Sequence, residues 1–100
     1  MAHAVSVDPY VLDVLMRDLV AHDHRPSSFM LYLHLWRETH GRDCATVETS
    51  LAQIADATGF SKSAVQVALK HLEQRRLIAT ERAHRTATPV FRVLTPWRRR

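Results

Sequence analysis

One hundred residues, 46% of them hydrophobic, amount to one domain's worth of chain, apolar enough to fold and too apolar to stay disordered. The single cysteine, Cys44, excludes an intrachain disulfide and fits a reducing cytoplasm. Residues 1–8 lack the basic-then-apolar run of a secretion signal, and the longest apolar stretch, 29–36, is too short to span a bilayer, so a cytoplasmic location is expected. The net charge of +4 is unevenly spread: residues 1–50 hold four Arg against seven acids, and residues 51–100 hold ten Lys or Arg against three. A basic half suits a polyanionic partner. It equally suits an arginine-rich surface with no partner at all.

Pro9 to about Asp23 is expected to be the first helix, with Asp8 as its N-cap and Pro9 in the first turn. Val11, Leu12, Leu15, Met16, Leu19 and Val20 form its apolar face. After a short polar connection, Pro26 opens a second helix that runs to His40, with Gly41 ending it. Its middle, from Phe29 to Trp36, is apolar nearly all round, so the helix is either the centre of the core or part of a dimer interface. The stripe Phe29, Tyr32, Leu33 and Trp36 is the candidate interface.

Ala45-Thr46-Val47 has β character. Ser50 with Gln53 forms a capping box that opens a third helix, and Gly59 ends it. Ser61 caps a fourth helix that continues to about Arg75. Leu77 to Thr80 and Val90 to Leu94 then read as a hairpin whose long tip, 81–89, is polar and basic. The expected architecture is mainly α with a small β-hairpin: about four helices in one domain over residues 1–100. Residues 1–44 supply the N-terminal helices, 45–95 the paired helices and hairpin, and 96–100 a basic tail.

The segment LAQIADATGFSKSAVQVALKHL, residues 51–72, meets each demand of two helices crossing through a tight turn. Ala55 is small at the contact, Gly59 can turn left-handed, Phe60 fills the angle and Ser61 caps. Ile54, Val65, Leu69 and Leu72 supply the shared core. In these residues, and in the following Leu77-Ile78, the chain resembles the bacterial winged helix-turn-helix transcriptional regulators. The resemblance covers about the last 50 residues. It implies sequence-specific binding of double-stranded DNA by a regulator, expected to act as a repressor in association with the nucleoid; a homodimer reading a two-fold site is expected because one small recognition helix gives limited specificity.

It also assigns roles. The fourth helix becomes the recognition helix, with Ser61, Lys62, Ser63, Gln66, Val67 and Lys70 toward the major groove. Gln66 suits adenine, and Lys62 or Lys70 suits guanine or phosphate. Val67 departs from the polar or basic residue that many relatives place there, and suits either a thymine methyl or a partner. Arg82, His84 and Arg85 on the wing tip reach the minor groove or phosphates, and Arg98, Arg99 and Arg100 neutralise phosphate. For each of these residues a solvated surface role is the competing reading. A replication or plasmid initiator built on the same module, and a winged helix used only for protein contacts, are the alternative functions.

Seven histidines invite a metal, but their spacing with the lone Cys44 fits no zinc pattern. No phosphate loop, nucleophile elbow or zincin motif is present, and Asp8, Asp13, Asp18 and Asp23 recur at a spacing that scatters them round a helix. No enzyme activity, cofactor, metal, small-molecule ligand or membrane partner is expected.

Overall fold

The computed structural model describes residues 4–98. Residues 9–22 form one continuous helix that is largely π-wound: the segments Val11–Leu15 and Asp18–His22 are π-helical, and the residues between them are α-helical. In the wider π turn each N–H reaches the carbonyl five residues back, as from Met16 to Val11 and from Asp23 to Asp18. Residues four apart therefore stay in closer line than in an α-helix. Val11, Leu15 and Leu19 form a fully buried stripe. Leu12, Met16 and Val20, expected to share that face, make a parallel stripe left in solvent at 50%, 42% and 37% exposure. Asp8 does not cap this helix through its side chain, which is engaged instead by Trp97 and Arg98.

The second helix is Pro26–Glu38, with proline in the first turn as expected. It stops two residues early. Thr39 turns its hydroxyl back to donate to the Leu35 carbonyl, and a 3-10 turn, His40–Arg42, follows. The left-handed residue is Asp43 rather than Gly41. Gly41 instead lets the N-terminal segment pass, since a Cβ there would meet Val5 at 3.1 Å. The all-round apolar middle settles in the core: Phe29, Leu31, Tyr32, Leu35 and Trp36 are buried, and Leu33 is partly buried against the same cluster. This corrects the candidate interface. Phe29, Tyr32 and Trp36 are covered by their own chain, because the fourth helix, the sheet and the first helix enclose the second.

The third helix, Leu51–Thr58, opens on the complete Ser50/Gln53 capping box and closes at Gly59, whose φ of 82° is left-handed. The fourth, Lys62–Gln74, is capped by Ser61, whose hydroxyl oxygen accepts from the Ala64 amide. Three strands follow the order β1 (Val47–Glu48), β3 (Val90–Val93), β2 (Ile78–Glu81), all antiparallel. Tyr32 donates its hydroxyl to the Leu94 carbonyl at 2.8 Å and so ties the central helix to the end of the hairpin. With four helices and this small sheet, the fold is a winged helix-turn-helix.

Candidate nucleic-acid interface

The fourth helix presents two distinct faces because its apolar residues recur at helical spacing. Val65, Ala68, Leu69 and Leu72 are buried against the second and third helices. Lys62, Ser63, Gln66, Val67 and Lys70 are exposed. Neither Lys62 nor Lys70 has an ion-pair partner among the described residues. An amphipathic helix of this kind, held by its apolar side, offers a rigid polar surface.

The wing meets that surface along one edge. Gln66, Lys70 and Glu73 of the fourth helix line a cleft with Thr80, Arg82, Pro89 and Phe91 of the hairpin. Thr80 carries a buried hydroxyl oxygen with no hydrogen-bond partner among the described residues. Arg82 reaches back across the wing and donates to the Ala87 carbonyl at 3.1 Å, which fixes the loop's shape. His84 is exposed, with Nδ1 at 3.2 Å from the Thr86 hydroxyl, and Arg85 is exposed at the tip. Of the predicted helix and wing residues, the cleft brings together Gln66, Lys70 and Arg82.

The tail is placed differently from expectation. Arg98 donates from Nε and Nη2 to the Asp8 carboxylate at 2.7 and 2.8 Å, and its guanidinium lies over the Trp36 ring at 5.7 Å. Trp97 donates to the same carboxylate at 3.0 Å and stacks on Tyr10 with centroids 4.7 Å apart. The hydrogen bonds from Arg98, foremost, hold the Asp8 carboxyl below its ordinary pKa, despite its partial burial. Arg98 is therefore a clasp between the two ends of the fold, and its charge is spent on Asp8. Arg99 and Arg100 lie outside the described residues.

Sequence reasoning missed the group that seats the fourth helix. His71 Nδ1 lies 2.8 Å from the hydroxyl of the fully buried Ser28, and Nε2 lies 2.9 Å from Asp23 Oδ2. Arg75 adds its Nε to the same carboxylate oxygen at 2.9 Å and approaches Asp18 at 3.7 Å, and His22 sits 2.8 Å from the other oxygen of Asp23. Burial raises the Asp23 pKa, but the hydrogen bonds from His22 and His71 and the charge of Arg75 prevail and hold it below the ordinary carboxylate range. The signal available beforehand was His71 itself. It flanks Leu72 at the margin of the apolar face, where an imidazole needs a polar partner.

Among the described residues, no group of three or more His, Cys, Asp or Glu could hold a metal ion, and no helix is long and apolar enough to cross a membrane. Residues 39–86 match the family model described as the MarR family. The matched stretch, just under half of the chain, runs from the 3-10 turn through both paired helices into the wing. No curated protein and no solved structure matches the chain.

Proposed function

We propose, on the premise that residues 39–86 are a winged helix-turn-helix of the MarR family of transcriptional regulators, that this chain binds double-stranded DNA sequence-specifically, as a homodimer, and represses by occupying its site. The observation that carries the reading is the outer face of the fourth helix, mostly polar, basic and without ion pairs among the described residues, beside a basic wing. Its N-terminal turns enter the major groove, where the Gln66 amide suits adenine and Lys62 and Lys70 suit guanine or phosphate. Ser61 and Ser63 approach the backbone at the helix start. Arg82, His84 and Arg85 follow the wing toward the neighbouring minor groove or phosphates. No catalytic step is assigned to any residue. A DNA-bound role places the protein in the cytoplasm, on the nucleoid.

Dimerisation gives two short helices a combined site long enough to be selective. With Phe29, Tyr32 and Trp36 in the core, the surface that suits a second copy is the solvent stripe Leu12, Met16, Val20. Asp13 and Arg17 beside it have no ion-pair partners among the described residues, and two such helices packed antiparallel bring Asp13 of each opposite Arg17 of the other.

Selection of bound sequences from a random duplex library, followed by salt titration of affinity, tests the reading. Log affinity should fall with log salt by about 0.9 per phosphate neutralised, and Lys62→Ala and Lys70→Ala should each remove roughly one phosphate's worth of slope. Affinity that does not respond to salt would refute DNA binding. A chain that sediments as a monomer while binding DNA would refute the dimer alone.

A further inference from the structure

The burial pattern fixes how the fourth helix is rotated. Opposite its buried residues Val65, Ala68, Leu69 and Leu72 lie Ser63, Val67 and Lys70, spaced one turn apart at i, i+4 and i+7. Gln66 lies to one side of this face, where it and Lys70 line the cleft with the wing. Val67, which is 52% exposed, thus stands on this outward face between Ser63 and Lys70.

Val67 is isolated as well as exposed. Its neighbours on the outer face, Ser63 at i−4 and Lys70 at i+3, are polar, Ala64 at i−3 is small and half-buried, and the other large exposed apolar residues among the described residues belong to the N-terminal segment and the first two helices. A single apolar knob in a basic, polar surround is a poor footing for a protein partner, which needs a contiguous apolar centre. It matches the one apolar group that the major groove presents amid its donors and acceptors, the 5-methyl of thymine. The β-branched side chain is also nearly fixed in one rotamer on a helix, so its methyls lose little freedom on contact.

We propose that Val67 is a specificity-determining residue that reads the 5-methyl group of a thymine in each half-site. The inference rests on the DNA-binding reading given above and adds the chemistry of the base that is read. Ser63 and Lys70, one turn away on either side, hold the flanking backbone, and Val67 meets the base edge between them.

The experiment replaces the thymines of the selected site one at a time with uracil, which lacks only the methyl. At one position per half-site the wild-type chain should lose about fourfold in affinity, the value of one buried methyl. Val67→Ala should bind thymine and uracil duplexes alike at that position, with its salt slope and circular dichroism unchanged. Cytosine there should be tolerated better when methylated at C5, for wild type only. Uracil without effect at every position would overturn the proposal while leaving DNA binding intact, as would a Val67→Ala chain that still discriminates. Loss of the dimer in Val67→Ala would show that the residue faces another chain. Absence of any salt-dependent DNA binding would remove the underlying reading and the proposal with it.

Discussion

The two halves of this molecule use charge in opposite ways. In the N-terminal half, four of the seven acids are committed: Asp8 to Arg98, Asp18 and Asp23 to Arg75, and Glu38 to Arg37 and Arg42. In the C-terminal half, Lys62, Lys70, Arg85 and Arg92 have no such partner among the described residues. The acidic half thus takes Arg75 and Arg98 out of the basic excess and leaves the remainder on the fourth helix, the wing and the sheet. The count of charges in a sequence overstates a binding surface when some of them are structural. Here the free ones, not the net +7 of the C-terminal half, define the candidate interface.

The comparison also holds for apolar groups, and the largest test lies there. Trp36 is fully buried, stacks on His40 and donates its indole N–H to the Ser6 carbonyl. Trp36→Ala should cost about 3–5 kcal/mol, enough to unfold much of the population of so small a domain. Denaturant melts at several protein concentrations check it. A stable Trp36→Ala monomer would return this residue to an intersubunit role.

Next in size is the seat of the fourth helix. Asp23→Ala leaves His71 and Arg75 without their acceptor and should destabilise by about 1–3 kcal/mol. Chemical denaturation reads it directly, and a change below a few tenths of that would mean that the two halves are joined by apolar packing alone.

A smaller effect concerns pH. His34 is half-buried on the second helix, and burial lowers its pKa. Its folded value therefore lies below the unfolded value of about 6.5, and the unfolded chain binds the proton more readily. Its contribution to stability is complete above that pH and declines as pH falls toward the folded value. Melting temperatures from pH 8 to 5 should drop less in His34→Gln than in wild type. The lowered carboxylates Asp8 and Asp23 act in a separate window, their contribution fading only as pH falls below about 4.

The smallest expected effect is on DNA affinity in Arg98→Ala. Because Asp8 already neutralises this charge, the salt slope should match that of wild type, in contrast to Lys62→Ala and Lys70→Ala. A slope reduced by about one unit would place Arg98 on a phosphate.

What was legible in the sequence was local. The Ser50/Gln53 box, the left-handed Gly59 and the Ser61 cap each join groups within a few residues, so residue type alone implies the geometry. What was not legible was the partner of a residue across the fold. The run from Phe29 to Trp36 announced burial without saying whether its own chain or another supplied the cover. Asp23 looked like part of a polar connector because His71, which gives it meaning, stands 48 residues away. Arg98 looked free for the same reason. Val67 was legible as an oddity, and only the burial of Val65, Ala68, Leu69 and Leu72 showed that it stands on the face turned away from the core.

The clasp between Asp8 and Arg98 joins residues 90 positions apart. Ribosomes add about 5–20 residues per second, so Asp8 waits roughly 5–20 s for its partner to be made. Through that interval Tyr10 has no Trp97 to stack on, and the indole of Trp36 lacks the guanidinium that later lies over it. The paired helices and hairpin, whose contacts are nearer in sequence, can form while the first helix is still unfastened. A nascent chain halted at the wing would therefore expose an adhesive aromatic edge and be a substrate for chaperones. Emergence of Trp97 and Arg98 would end that exposure.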